Sequence, residues 1–343
     1  MKKTTAVVSV IIIVLVIVAL AYTTYRFYVP SETGPQKETV TIVDATGVNV
    51  EVKVPVERIV CLSNGLTEII CVLGGEDRIV GRDSTSRFPP SILEEPVVGE
   101  SSYNTNLELL LELEPNLVFS DLMMSNETRG KIEDAGVPVI AENSNDPGRV
   151  KIFLQNMGLV LGEEEKAGEI IDFIESYENV ISERVGSLTL NEKPLVYFEW
   201  GVGWSCGAGT VLHENIVDAG GINIAAEETI LYPVLSPEYV VEKNPDIILV
   251  SISGATGELV AFQNAKDEII SRSGFSEVKA VKEGRVYIYD SQVGLGVRYI
   301  VGLLYKAKCF HPSLFEDIDP AAIHEQLVQE FFGIELKGVF MYP

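Results

Sequence analysis

One stretch of this sequence occurs twice, and the repetition limits the fold more than any other feature. Glu108, Leu109, Leu110, Leu111, Glu112, Leu113, Glu114, Pro115 and Asn116 lead into Leu117, Val118, Phe119 and Ser120. Glu238, Tyr239, Val240, Val241, Glu242, Lys243, Asn244, Pro245 and Asp246 lead into Ile247, Ile248, Leu249 and Val250. In both copies a Glu stands seven residues before a Pro, Asn or Asp follows, and a four-residue apolar strand begins, at an offset of 130 residues. That period is too long for a solenoid, whose units span roughly 20–50 residues. It fits two lobes of one architecture, and small ligands favour the cleft between such lobes.

The elements around the repeat alternate. Residues 39–54 read as a hairpin turned at 44–47, and residues 58–62, 78–81, 117–120 and 137–140 read as short strands separated by helices over 66–73 and 106–113. The second half restarts with a strand at 195–198, a helix at 211–219 ended by Gly220 and Gly221, a helix at 238–243, and strands at 247–250 and 286–289. Helices over 298–310 and 321–332 close it. Strands alternating with helices imply mainly parallel sheets covered on both faces. Between the halves, Asp146 and Pro147 form an N-cap and first helical position for a helix to about Leu161. After Gly162, Ala167, Ile170, Ile171, Ile174, Tyr177, Ile181 and Val185 make a single apolar stripe on a helix of roughly 24 residues, about 36 Å at 1.5 Å per residue. Its position at mid-chain makes it a spine. The expected division is residues 39–146 for one lobe, 147–187 for the linking helices and 193–335 for the other lobe.

Residues 1–30 differ from the rest. Lys2 and Lys3 precede an apolar run from Ala6 to Tyr22, and Tyr25, Phe27 and Tyr28 follow, which is an export or anchoring segment, uncleaved or removed. Residues 31–38 form a polar tether. Over the whole chain, 26 basic against 50 acidic side chains leave a formal charge of −24, which disfavours nucleic acid as a partner. Anionic lipid is repelled too, so membrane attachment falls to the N-terminal segment. Cys61, Cys71, Cys206 and Cys309 form no CxxC pair, so zinc-ribbon and redox motifs are excluded. The spacing leaves pairing open.

Several segments in order resemble the solute-binding proteins of cobalamin and iron–siderophore ABC importers. The opening segment runs through Leu62, Ser63, Asn64, Gly65, Leu66, Thr67 and Glu68 to Leu73 and Gly74. Asn106, Leu107 and Glu108 through Pro115 and Asn116 carry the second, and Ser236, Pro237 and Glu238 through Pro245 and Asp246 the third. The likeness covers roughly residues 38–310. It implies two similar α/β lobes, each a mainly parallel sheet with flanking helices, joined by one long backbone helix, with small, shear-like closure. It also implies that Glu108 and Glu238 dock on arginines of an ABC permease, which works with its ATPase. Ligand contacts would come from Asn64, Arg82, Ser84, Phe88 and Tyr103 in the first lobe and Trp200, Trp204 and Tyr232 in the second. No arginine stands at 102–103, so Arg82 is expected to supply the charge and Tyr103 the aromatic contact.

No HExxH, GxSxG, Walker A or dinucleotide fingerprint occurs, and His213, His311 and His324 are too scattered for a metal cluster. The expectation is therefore a non-enzymatic binder without a resident cofactor. It captures a metal chelate (a corrinoid, a ferric siderophore or haem) on the outer face of the cytoplasmic membrane. The alternative is an extracellular receptor or adhesion-type domain that shares the fold and has no transport role.

Overall fold

The computed structural model describes residues 38–253 and 257–343; the expected membrane segment and residues 31–37 of the expected tether lie outside the described residues. Strands β1 (Glu38–Val43) and β2 (Asn49–Val54) form a two-stranded sheet. Its turn is built by Asp44, whose Oδ1 accepts from the backbone N–H groups of Thr46 and Val48. The first lobe is a parallel sheet of β3 (Ile59–Leu62), β4 (Ile79–Asp83), β5 (Val97–Gly99), β6 (Leu117–Ser120) and β7 (Val139–Ala141), ordered β5-β4-β3-β6-β7. Helices α1 (Asn64–Val72), α2 (Leu107–Glu112) and α3 (Asn126–Asp134) belong to this lobe.

Two helices, α4 (Pro147–Leu161) and α5 (Glu164–Val185), connect the lobes. The expected single long helix is thus one member of a pair. Gly162, at φ 77°, takes the left-handed conformation that ends α4, and the Glu163 N–H closes back on the Gly158 carbonyl at 2.7 Å. α5 then runs 22 residues; of the predicted stripe, Ala167, Ile170, Ile171, Ile174, Ile181 and Val185 are buried and Tyr177 is half-buried.

The second lobe contains β8 (Leu195–Glu199), β9 (Ile222–Asn223), β10 (Ile247–Ile252), β11 (Val286–Asp290) and β12 (Met341–Tyr342), ordered β12-β11-β10-β8-β9. All pairs are parallel except β11–β12. Its helices are α6 (Val211–Asp218), α7 (Pro237–Lys243), α8 (Leu259–Ile270), α9 (Lys279–Lys282), α10 (Tyr299–Phe310) and α11 (Pro320–Leu327). The expected terminal helix over 321–332 is α11 followed by a wider π turn at Val328–Phe332, stopped by Gly333 at φ 69°. The tail beyond it adds β12, an edge strand the sequence reading lacked.

With β5 and β12 set aside, the sheet orders become β4-β3-β6-β7 and β9-β8-β10-β11, so the lobes share one topology. The repeated motif does the same work in each. Glu114 and Asn244, each before its Pro, hold φ of 47° and 46° at the end of α2 and α7. The Asn116 N–H donates to the Arg58 carbonyl at 2.9 Å while its side-chain oxygen accepts from the Arg58 N–H at 3.1 Å. The Asp246 N–H donates to Leu195 at 2.9 Å, and its carboxylate accepts from the Leu195 N–H at 2.8 Å. Asn or Asp after the Pro therefore aligns the start of the neighbouring strand, which fixes why that residue type repeats.

Strand alternation sorts side chains between cores. Ile59, Cys61, Leu117 and Phe119, with Val196, Phe198, Ile247 and Leu249 of the other lobe, join one central core that also takes in α4, α5 and α10. The opposite faces feed separate outer cores, Val60, Leu62 and Val118 in one lobe and Tyr197, Ile248, Val250 and Ile288 in the other. The four cysteines are free, and Cys61 and Cys71 are buried as small apolar groups.

The lobes also meet through a buried ion pair. Glu68 on α1 accepts from the Arg298 side chain at 2.7 and 2.8 Å, both side chains being about 2% exposed. The Arg298 guanidinium lies 4.0 Å from the centre of the Phe88 ring, and Phe88 packs edge-on against Phe332 at 5.0 Å. Glu68→Gln removes the counter-charge and leaves Arg298 buried, so it is expected to destabilise the protein by about 3–5 kcal/mol, read as a lowered urea midpoint. Replacing both residues by Met should cost less than the two single changes added together. A double variant as unstable as that sum would show the pair to be uncoupled.

Candidate ligand-binding site

In parallel α/β sheets the loops at the carboxyl ends of the strands line the ligand crevice. Here the ends of β7, β8, β10 and β11 converge on a cavity of about 300 Å³ between the lobes. The first lobe contributes Asn143 and Asn145 from the loop after β7. That loop is pinned across the interface, because Ser144 between them accepts from the Gly296 N–H at 3.0 Å. The second lobe contributes Phe198 and Trp200 at the end of β8, Ser251 and Ser253 of β10 and its end, and Tyr289 and Ser291 of β11 and its end. Tyr232 closes one wall, and Lys306 reaches in from α10.

The aromatic wall is held by backbone pairing. The Trp200 N–H donates to the Trp204 carbonyl at 3.1 Å, Leu235 donates to Gly203 at 2.8 Å, and Ser205 donates to Pro233 at 2.9 Å. Segments 200–207 and 231–235 thereby form a small ribbon that stands Tyr232 edge-on to Trp200 at 6.4 Å, with the Trp204 ring tilted against Trp200 at 5.7 Å. Gly203 is required at φ 75°, and a Cβ there would meet the Leu235 carbonyl oxygen at 2.9 Å. Glu199 anchors the turn by accepting from the Gly203 N–H, and Arg272 clamps the same carboxylate at 2.6 and 2.7 Å. Around this wall Val202, Ile230, Leu231 and Val234 are exposed, each more than half accessible. An apolar rim of that kind marks a contact surface.

Lys306 is the charged group of the cavity. It is 3% exposed, has no hydrogen-bond or ion-pair partner among the described residues, and lies 5.0 Å from the centre of the Tyr289 ring. Burial pulls its ammonium down to about 8.

Of the eight ligand residues expected from the sequence, Trp200 and Tyr232 line the cavity, and Trp204 buttresses Trp200 behind it. The structure does not bring the others into it. Arg82 is buried in the first lobe and donates to the carbonyls of Asp83, Ser86 and Leu93. Ser84 donates to the Glu100 carbonyl, Phe88 stacks under Arg298, and Tyr103 is 72% exposed outside the cavity. Asn64 accepts from the N–H of Gly65, and Gly65 is packed so tightly that a Cβ would meet Ser144 Oγ of its own lobe at 2.4 Å and the Gly296 backbone nitrogen of the other lobe at 3.0 Å. Glu108 and Glu238 are exposed at equivalent second positions of α2 and α7, one residue after Leu107 and Pro237.

Sequence reading missed Lys306, yet a signal existed. Tyr299, Leu303, Lys306 and Phe310 recur at helical spacing on one face of α10, and all four are buried. A lysine in an apolar stripe was legible as a buried charge. Cys206 is free and buried, and burial pushes its thiol up to about 12, so it stays protonated. Among the described residues no group of three or more His, Cys, Asp or Glu side chains is placed to hold a metal ion.

Residues 59–293 match the Periplasmic binding protein family, and the chain belongs to it. This is a family of non-catalytic solute-binding proteins of ABC importers. The chain is 28% identical over 287 residues to the uncharacterised ABC transporter substrate-binding lipoprotein YvrC of Bacillus subtilis, spanning 81% of this chain and 87% of that one. It is 29% identical over 220 residues to a cobalamin-binding protein of Halobacterium salinarum, spanning 62% of this chain and 59% of the relative. The fold superposes on the molybdate-binding MolA of Haemophilus influenzae with a TM-score of 0.76 at 20% identity, over 87% of this chain and 99% of the other.

A charged amine held in this interior without a partner costs stability. Lys306→Met is expected to stabilise the empty protein at pH 7, by about 1–3 kcal/mol, the usual cost of burying an uncompensated polar group. Below about pH 8 the wild-type amine is charged in both the folded and the unfolded chain, and the folded state bears the penalty. As pH rises towards the unfolded value of about 10.4, both states become neutral and the gain should vanish. Urea midpoints of both proteins at pH 7 and pH 10.5 check the sign.

Proposed function

We propose that this protein is the substrate-binding component of an ABC importer, which captures a metal chelate, a corrinoid or a ferric siderophore, between its lobes and delivers it to the permease. The observation that carries the reading is the aromatic wall of Trp200, Trp204 and Tyr232 beside an interlobe cavity. Rigid aromatic faces with a few polar groups suit a large, flat ligand. A chelate larger than the cavity leaves part of its surface against this wall and the apolar rim. The likeness to a cobalamin-binding protein supports a corrinoid. The protein acts on the outer face of the cytoplasmic membrane, held there by residues 1–30. Among the described residues no helix is long and apolar enough to cross a membrane.

Glu108 and Glu238 are the docking residues in this reading. They are exposed, free of ion pairs among the described residues, and placed equivalently on two lobes of one topology, which suits a permease built from two like halves. Hydrogen bonds from its own backbone N–H and from Ser236 hold the Glu238 carboxyl below the usual range, so it is charged at neutral pH.

Isothermal titration of the protein with cyanocobalamin and with a ferric siderophore is expected to give saturable binding to at least one. Trp200→Ala should weaken it about tenfold, the scale of a lost aromatic contact of about 1.5 kcal/mol. No binding of either chelate removes the reading. Reversing both charges, Glu108→Lys with Glu238→Lys, should abolish uptake in cells while affinity in solution stays within a few-fold. Undiminished uptake by that double variant would remove the docking role.

A further inference from the structure

Lys306 is a conspicuous expense in an otherwise orderly interior. The chain pairs its other deeply buried cation, Arg298, with Glu68, and gives Arg82 three carbonyl acceptors. Lys306 receives neither, although an apolar side chain would complete the stripe of Tyr299, Leu303 and Phe310 on α10. The ionisable groups facing it are the Cys206 and Cys309 thiols and the Tyr289 hydroxyl. Burial pushes all three up, the two thiols to about 12, so none carries a negative charge at pH 7. A buried charge with no internal partner is retained at little advantage to the empty fold. Lys306 lines the cavity with its Nζ 5.0 Å from the centre of the Tyr289 ring, and the polar lining is otherwise uncharged: the hydroxyls of Ser251, Ser253 and Ser291 and the amides of Asn143, Asn145 and Asn215.

We propose that Lys306 is the anion-binding residue of this cleft, and that the ligand carries an anionic oxygen group (carboxylate, phosphate or phenolate) which pairs with its ammonium beneath the aromatic wall. The inference rests on the binding function proposed above and narrows its ligand to the anionic members. The serine hydroxyls and asparagine amides supply donors for the remaining lone pairs of the same group. They stand at the ends of β7, β10 and β11 and on α6, so the anion is gripped from both lobes at once. The pairing replaces an uncompensated charge by a hydrogen-bonded one, and it therefore contributes both affinity and interlobe cohesion only when ligand is present.

The full chain and its Lys306→Met variant should be titrated with five probes: cyanocobalamin, which bears a phosphodiester; dicyanocobinamide, a corrinoid without it; haem, a dicarboxylate; ferric tris(catecholate); and inorganic molybdate. At least one anionic probe is expected to bind the wild type, and the substitution should weaken it by about tenfold or more. Cobinamide affinity should not respond. In the wild type the bound probe should also protect Lys306 from reductive methylation, read by mass spectrometry, which tests the contact without any substitution. If chelates bind both proteins equally and Lys306 is not protected, the anion site falls and the chelate reading stands. If molybdate alone binds, in a Lys306-dependent manner, the anion site stands and the chelate reading falls. If no probe binds the wild type, both fall.

Discussion

The ion pair between Glu68 and Arg298 sets the relation of the two lobes, and the cleft depends on it. Two charges about 2% exposed cannot separate into the interior without a partner, and moving the lobes apart would strand both. The surrounding contacts share the constraint. Gly65 and Gly296 are packed so closely that a Cβ on Gly296 would meet the Gly65 carbonyl oxygen at 2.9 Å. The C-terminal tail then crosses back, with Phe332 against Phe88 of the first lobe and β12 on β11 of the second. Together with α4 and α5 these contacts join the lobes at several places rather than through one hinge segment.

Much of the fold was legible because it rests on local rules. The strand-helix alternation, the stripe on α5 and the Asp146–Pro147 start of α4 each follow from periodicity or capping, and the repeated Pro–Asn/Asp motif follows from the need to align a neighbouring strand. The tail was not legible, because Met341 and Tyr342 gain strand structure only by pairing with Ile288 and Tyr289, some fifty residues away. The break at Gly162 was legible, since the Asp146–Pro147 start and the restarted apolar stripe set two helices apart, but spacing did not show that both link the lobes as a pair.

The site was half legible for a related reason. Residues near strand ends were found by position, but position does not say which way a side chain points. Arg82 lies at the end of β4 and turns inward to three carbonyls of its own lobe, while Trp200 lies at the end of β8 and faces the cavity. The likeness of the lobes misled here. Their topology is shared, but the first lobe spends its strand-end segment at Asn64–Leu66 on sealing the interface, and the second spends its own on the aromatic ribbon. The site is consequently lopsided: the second lobe supplies its walls and its charge, and the first supplies two asparagines.

That lopsidedness bears on how an acidic protein can take an anion. A formal charge of −24 repels a negative ligand at long range, but exposed charges are screened beyond a Debye length of about 8 Å at physiological salt. A single ammonium at the base of a cleft is screened far less, because little water separates it from the bound group. Short-range attraction at Lys306 and diffuse repulsion from the surface therefore act at different distances. The first sets how firmly the ligand is held, and the second sets how readily it arrives and leaves. A carrier that must surrender its cargo to a second protein gains from a strong local grip combined with an unfavourable general field, since loosening one contact is then enough for release.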